Sequence, residues 1–230
     1  MLLIQLPMFN NIEEVKNKLK NISEELINQE FNFIVVDHSK KNYSNELELF
    51  CVEHNLKKLN YFHLKKKSKK NERGLASRYG YKMALEKYKK FYLVEIDSDT
   101  AHSEKEILKI FNHAIKNNCD IVVASKYVKN SKVLNRRLSR RFISYAYNYL
   151  NKIIFNLNLS DTSNSYRCYS KKALLNYTKL NLKFITPIAH LLLLVINNSY
   201  KLKFDHVSSI YYENVNYKSS INFEQLWYCL

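Results

Sequence analysis

The apolar run Phe91-Tyr-Leu-Val-Glu-Ile96 ends on Asp97-Ser98-Asp99, which sets two carboxylates two residues apart at a strand tip. In extended backbone such a pair faces opposite ways, so both reach one ion only where the chain turns. Paired hard oxygens suit Mg²⁺ or Mn²⁺, which also take phosphate oxygens and water. A second run, Phe31–Val36, closes on Asp37, where a carboxylate can accept hydrogen bonds from a base or a ribose. The only two glycines, Gly74 and Gly80, fall in Asn71–Gly80. This window is neither a Walker loop nor Gly-x-Gly-x-x-Gly, but a glycine-led turn into a helix can offer backbone N–H groups to an anion. A turn glycine and a helix-packing glycine are the plainer alternative. Lys57–Lys90 holds 13 Lys/Arg against 2 acids, and Lys126–Arg141 holds 7 with none. In the second stretch Arg136 and Arg140 share a helix face, and arginine forks suit phosphate oxygens; solvated helix surface is the alternative. His102 and His190 read as a turn residue and a core residue, with no catalytic role.

These groups need elements to position them. Leu2–Leu6 is a short strand stopped at Pro7, and Ile12, Val15, Leu19, Ile22 and Leu26 recur at helical spacing, which predicts a helix over Glu13–Asn28 behind an Asn11…Glu14 cap. Phe31–Val36 is a second strand, Glu46–His54 a helix, Tyr61–Leu64 a weak strand, Leu75–Tyr88 a helix and Phe91–Ile96 the clearest strand. Ser103-Glu-Lys-Glu106 reads as a capping box opening a helix through Ile115, and Ile121–Ala124 as a buried strand. Strands alternating with helices predict crossovers and a largely parallel, twisted sheet, an α/β fold with ligands beyond the carboxyl ends of its strands. Arg136–Phe155 has the spacing of a long amphipathic helix; Tyr166–Tyr169, Phe184–Ile196 and Lys203–Tyr212 are mixed. No repeat, linker or compositional break divides the chain.

The 230 residues suit one domain, and 46% hydrophobic with 13% aromatic content supports a sizeable core. The longest apolar stretch, Leu191–Ile196, falls far short of the roughly 18 residues of a membrane span. Met1–Pro7 lacks the basic start and long apolar run of a signal peptide, so neither an integral membrane protein nor an exported one is expected. Cys51, Cys119, Cys168 and Cys229 form no Cys-x-x-Cys pair, which fits free thiols in a reducing cytoplasm. Two glycines among abundant Lys, Asn, Ile and Tyr look like the drift of an AT-rich coding sequence, one source of the +16 charge.

Taken in order, the motifs resemble glycosyltransferase family 2, and more narrowly the polyprenyl-phosphate (dolichol-phosphate) mannosyl- or glucosyltransferases of the A-type glycosyltransferase fold. The opening strand and Pro-x-Tyr-Asn-Glu stand as Pro7-Met-Phe9-Asn10-Asn11, and Val-Val-Asp-Asp-Gly-Ser as Val35-Val36-Asp37-His38-Ser39. The glycine-led helix start is matched by Gly74–Gly80, and Met-Asp-Ala-Asp-x-x-His by Ile96-Asp97-Ser98-Asp99-Thr100-Ala101-His102. Ser-Arg-Tyr appears as Ser125-Lys126-Tyr127, Arg-x-x-Ser as Arg136–Ser139, and Asp-x-Thr-Ser-Gly-Phe-Arg as Asp161–Arg167. The departures are His38 for the second Asp, Ala101 where these enzymes commonly place Gln, and Lys126 for Arg. Asn214 and Tyr217–Ser220 stand where the family often has an Arg and Gly-x-Ser-Lys. Phosphate-directed cations are thus missing or moved, which implies an altered donor or acceptor, or weaker activity.

The resemblance implies a metal-dependent, inverting glycosyltransferase with a Rossmann-like, mostly parallel sheet and helices on both faces. Residues 1–127 form its nucleotide-sugar half and 128–230 its acceptor half. Pro7, Phe9, Asn10, Asp37, Gly74, Asp97 and Ser98 would hold the nucleotide-diphosphate sugar, Asp97 and Asp99 a Mg²⁺ or Mn²⁺ ion. Lys126, Arg136, Arg137, Ser139 and Arg167 would hold an acceptor polyprenyl phosphate. Such a phosphate needs no general base; if the acceptor is a glycan or protein hydroxyl, Asp161 is the candidate base. The expected place is cytoplasmic, peripheral at the inner face of an anionic membrane. The rival class is a basic nucleic-acid-binding module, although nucleic acid is not the expected partner.

Overall fold

A computed structural model describes residues 1–56, 58–65, 73–99, 101–154, 156, 159–179 and 201–213. The expectations for Phe184–Ile196, His190, Asn214 and Tyr217–Ser220 lie outside these residues, as do Lys66–Lys70 of the first basic stretch.

In chain order the elements are β1 (Leu2–Met8), α1 (Ile12–Glu25), β2 (Phe31–Asp37), α2 (Ser44–Glu53), β3 (Leu59–His63), α3 (Arg73–Lys87), β4 (Tyr92–Glu95) and α4 (Glu106–Lys116). Then follow β5 (Ile121–Ser125), β6 (Lys132–Leu134), α5 (Leu138–Ile154), β7 (Arg167–Ser170), α6 (Lys171–Lys179), β8 (Phe204–Ser208) and β9 (Ile210–Tyr212). Seven strands form one sheet in the order β3-β2-β1-β4-β7-β5-β8. The β3-β2-β1-β4 and β5-β8 pairings are parallel, while β7 runs antiparallel to both β4 and β5. The expected largely parallel α/β sheet is therefore present, and its one reversed strand comes from the stretch that the sequence left mixed.

Alternating side chains of the central strands feed two cores. Leu2, Ile4 and Leu6 with Phe33 and Val35 meet Val15, Leu19 and Ile22 of α1 and Ile107 and Ile110 of α4. On the other face Leu3, Ile34, Val36 and Leu93 meet Ala76, Tyr81 and Ala84 of α3 and Leu174 and Tyr177 of α6. Helices thus cover both faces, which is why β1 and β5 are buried at every position. Among the described residues no helix is long and apolar enough to cross a membrane.

Several local expectations change. The Ser103 box does not cap α4, whose N-cap is Lys105; Glu106 instead accepts hydrogen bonds from Ile210 N (2.8 Å) and Ser209 Oγ (3.0 Å). A long-range tie between α4 and β9 outcompetes the local cap. The Lys203–Tyr212 stretch divides into β8 of the main sheet and β9, which pairs in parallel with β6. Gly74 lies within the first turn of α3 rather than in a preceding loop, and neither glycine has positive φ. Gly80 is a packing glycine: a Cβ there would meet the Gln5 side-chain amide at 2.6 Å.

Candidate active site

The carboxyl ends of β1, β2 and β4 lie side by side, as the register Pro7↔Val36, Met8↔Asp37 and Gln5↔Glu95 requires. Past β1 the backbone turns through Asn10 at φ 55, and Asn10 N donates to Ser39 Oγ at 2.6 Å. Phe9 stacks on His38 with ring centroids 4.9 Å apart. Asp37 is fully buried: Ser39 N donates to Oδ1 (2.8 Å) and the Tyr61 hydroxyl to Oδ2 (2.6 Å). The expected nucleoside-binding carboxylate thus organises the tip of β2 through both oxygens. Asn11, beside the expected Asn10, donates through Nδ2 to Glu14 (3.0 Å) and to Ser98 Oγ, so it ties the β1 loop to the acidic turn.

That turn follows β4. Asp99 accepts from Ala101 N at 3.0 Å, so the chain turns just past β4. Asp97 Oδ1 takes Arg73 Nε and Nη2, each at 2.7 Å, and Ser165 Oγ donates to Oδ2. Arg73 also reaches Glu95 Oε1 at 3.0 Å, and Ser77 (3.0 Å) and Tyr81 donate to that same buried carboxylate. Burial by itself would raise the Asp97 carboxyl, but Arg73 and Ser165 hold it below the ordinary value. Asp99 is pushed up, first by burial and then by the charge of Asp97. Two carboxylates on one turn, with Asp99 giving only one oxygen to a described partner, are a donor set that fits a hard divalent cation. Sequence reasoning missed Arg73 and Glu95; the window around Arg73 was read for its glycine rather than its guanidinium.

The second half of the site is the loop 161–166. Asp161 is fully buried: Oδ1 accepts from Ser163 N (3.0 Å), Ser163 Oγ (2.8 Å) and Asn164 N (3.1 Å), and Oδ2 from Lys126 N at 3.2 Å. Lys126 Nζ lies 3.4 Å from Oδ2. Burial would raise Asp161 and lower Lys126. The Lys126 charge and the Ser163 hydrogen bonds hold Asp161 below its usual value, whereas Lys126 stays lowered despite Asp161. Arg167 is 2% exposed and donates to Asn164 O (2.6 Å), Thr162 O (3.2 Å) and the Tyr169 hydroxyl (3.3 Å). Two expected site residues, Asp161 and Arg167, therefore face inward and brace the loop. Arg136 pairs with Glu213 (3.2 Å), while Arg137 and Ser139 are exposed beside the start of α5.

Tyr211 joins the two halves. Lys126 Nζ lies 5.1 Å and Arg136 5.6 Å from its ring, and the His102 ring packs against it edge-on at 5.3 Å. Its hydroxyl is pushed up to about 12 by burial together with Glu213, Asp99 and Asp97, against the lowering effect of Arg136. His102 is a buried connector rather than a simple turn residue. Its Nε2 meets Asn164 Oδ1 at 3.1 Å and its Nδ1 meets Ser209 Oγ at 3.2 Å. The acidic turn, the 161–166 loop and the paired Lys126 and Arg136 thus gather beyond the carboxyl ends of β4 and β5, around Tyr211.

Residues 4–178 match the family model described as "Glycosyl transferase family 2". The chain belongs to glycosyl transferase family 2. This family 2 chain is 34% identical over 77 residues to an undecaprenyl-phosphate mannosyltransferase of Micrococcus luteus, a match covering 34% of the chain and 31% of that relative. Crystal structures with the same fold include S. aureus TarS 1–349, with TM-score 0.59, 18% identity, and coverage of 93% of this chain and 60% of that one. Another is glucosyl-3-phosphoglycerate synthase from Mycobacterium tuberculosis in complex with Mn²⁺, UDP and glucosyl-3-phosphoglycerate, with TM-score 0.61 and 13% identity. That match covers all of this chain and 75% of the other. The family 2 chain therefore spans less than two thirds of the relative and of TarS, and it has the A-type glycosyltransferase fold.

Proposed function

We propose that the protein transfers a sugar, with inversion, from a nucleotide-diphosphate sugar to a polyprenyl phosphate in a metal-dependent reaction. One observation carries this reading: the turn after β4 that holds Asp97 and Asp99 lies at the carboxyl end of the sheet, near Tyr211, whose ring Lys126 and Arg136, each paired with a carboxylate, also approach. The acidic turn suits the metal-bound diphosphate of a donor and the two cations the phosphate of an acceptor. Residues 1–127 make the donor half and 128–230 the acceptor half. Pro7, Phe9, Asn10, Asp37, Gly74 and Ser98 shape the donor cleft, and the Phe9–His38 stack offers the nucleoside an aromatic wall.

Asp97 and Asp99 would hold a Mg²⁺ or Mn²⁺ ion, which when bound would supply Lewis-acid stabilisation of the leaving diphosphate. Arg73 keeps Asp97 ionised for that role. Lys126, Arg136, Arg137 and Ser139 orient the acceptor phosphate, and Arg167 and Asp161 brace the neighbouring 161–166 loop. An acceptor phosphate oxygen is already anionic, attacks the anomeric carbon directly and needs no base, which agrees with Asp161 spending its oxygens internally. The relative's name, undecaprenyl-phosphate mannosyltransferase, supports the acceptor class. The Mn²⁺ and UDP named for the synthase, and UDP-GlcNAc for another TarS structure, support the donor and metal classes. The +16 charge supports a cytoplasmic protein held peripherally on the inner, anionic face of the membrane.

A thermal-shift screen of UDP-, GDP- and TDP-sugars with and without Mn²⁺ tests the donor site. The expected result is a metal-dependent stabilisation that Asp99→Ala abolishes. A shift indifferent to both metal and Asp99 overturns the assignment. Transfer to a glycan or peptide hydroxyl that fails in Asp161→Asn while donor binding survives overturns the phosphate acceptor instead.

A further inference from the structure

At the opposite end of the sheet from the acidic turn, three side chains with different ligand atoms meet. They are the His113 imidazole, the Cys119 thiol and the Asp205 carboxylate, with one ligand atom of each within 4.8 Å of the others. Local structure places the first two. Past α4 the chain turns back through Asn118 at φ 49, and Cys119 N donates to Ala114 O at 2.9 Å, which closes the helix and brings the thiol to its last turn. The third comes from β8, 92 positions from His113, so no local motif announces the group. Asp205 lies opposite Val122 of β5. Its Oδ1 accepts from His206 N at 2.8 Å, which leaves Oδ2 to His113 Nε2 at 2.7 Å. Cys119 is buried, whereas the His113 and Asp205 side chains are 29% and 37% exposed, so the group opens to water on one side.

The donor types select the ligand. Nitrogen, sulfur and oxygen together suit a borderline cation such as Zn²⁺, whereas Mg²⁺ and Ca²⁺ take oxygen. In tetrahedral zinc, bonds of about 2.0–2.3 Å set neighbouring ligand atoms about 3.3–3.6 Å apart. The present separations bracket that spacing, so a small opening of the His113–Asp205 pair and an inward shift of the thiol would complete three corners, with water at the fourth. A neutral imidazole, a thiolate and a carboxylate balance the two charges of the ion. Burial and then the Asp205 charge raise the thiol, and its proton passes to solvent when the ion enters. An ion pair alone accounts for His113 and Asp205; the thiol beside them makes the group a ligand set. Its own hydrogen bond is a long one, 3.7 Å to Asn117 O, an oxygen that also takes Lys203 Nζ at 2.7 Å.

We propose that His113, Cys119 and Asp205 bind a zinc ion that fastens the C-terminal end of α4 to β8, the last strand of the sheet. The helix is tied to the same segment at two further points: Lys109 donates to Ser208 Oγ at 2.8 Å, and Glu106 accepts from Ser209 and Ile210. Zinc would fix the third point of this line, which leads to Tyr211. The site stands independently of sugar transfer, and its test uses the full chain, freed of metal by a chelator and kept reduced. Zn²⁺ alone is titrated by calorimetry and Co²⁺ alone by absorbance, both in an Asp99→Ala background that removes the acidic turn as a competing site. The expected results are one Zn²⁺ per chain, a thiolate-to-cobalt charge-transfer band, and a melting temperature raised by about 5 °C or more at about 100 times Kd. Cys119→Ser should abolish the band, and His113→Gln, at a half-buried position that tolerates the change, should weaken zinc binding about tenfold or more. With Asp99 restored, both variants should keep the Mn²⁺-dependent shift by nucleotide sugar. Three results overturn the proposal: no zinc binding in the Asp99→Ala background, a charge-transfer band that survives Cys119→Ser, or unchanged zinc affinity in His113→Gln.

Discussion

At the scale of residues, the site spends much of its charge on itself. Arg73 is shared between Asp97 and Glu95, and Lys126 pairs with Asp161. Removing one partner of a buried pair leaves the other uncompensated, which typically costs about 3–5 kcal/mol, so Asp161→Asn should lower stability at pH 7 by about 3 kcal/mol in urea unfolding. The pH dependence has a definite sign. Asp97 and Asp161 are held below the ordinary carboxylate value of about 3.9. The unfolded chain therefore binds more protons between the folded and unfolded values, and stability rises with pH there. Their contribution is complete above about pH 4 and is lost as pH falls through the folded values. Asp161→Asn should accordingly flatten the stability profile below about pH 4, measured by urea titrations across that range; an unchanged slope would remove Asp161 as a source of acid sensitivity. The Asp97-Ser98-Asp99 pair was legible because two acids interrupting an apolar run leave few other readings. Arg73, Glu95 and Tyr211 were not, because their importance lies in partners 14 to 109 positions away.

At the scale of elements, scarcity of glycine has a structural answer. Among the described residues, six of the seven non-glycine positions with positive φ are asparagines, including Asn55 and Asn118 just past the ends of α2 and α4. Asparagine tolerates the left-handed region better than other side chains and closes helices there, so a chain almost without glycine still makes its turns. Gly80 survives for a different reason: the buried Gln5 side chain passes over it and donates to Ser77 O at 2.8 Å. Gly80→Ala would force Gln5 aside and strain or break that bond. The expected loss is about 2 kcal/mol, read as a lowered urea midpoint with an unchanged slope. A neutral effect would mean that Gln5 has room to move. Element ends show the limits of periodicity. The expected strand Phe91–Ile96 is four residues, Tyr92–Glu95, and α6 was not foreseen, since hydrophobic spacing says which face is buried and little about where pairing stops.

At the scale of the whole molecule, the +16 charge invites nonspecific attraction to any polyanion, nucleic acid included. Binding of that kind releases counterions and falls steeply with salt. Oligonucleotide binding should therefore vanish between about 50 and 200 mM salt and be indifferent to Asp99→Ala. Metal-dependent nucleotide-sugar binding should persist in salt and be lost in that variant. Fluorescence anisotropy and calorimetry at both ionic strengths separate the two; salt-resistant oligonucleotide binding would favour the nucleic-acid module.

The alternation of apolar runs with helical periods, by itself, determined a mostly parallel α/β sheet and put Asp37, Asp97 and Asp99 at strand tips, because burial of a two-sided sheet is written in local patterns. What tertiary structure alone decided was which groups meet. It inserted β7 antiparallel between β4 and β5, turned Asp161 and Arg167 inward, set Arg73 against Asp97, and aimed the apolar face of α5 away from the core. A hydrophobic period states that one side of a helix is apolar. The direction that side faces depends on packing and hydrogen bonds between residues far apart in the chain, here the hold of Asn148 and Asn151 on Thr162 and Ser163.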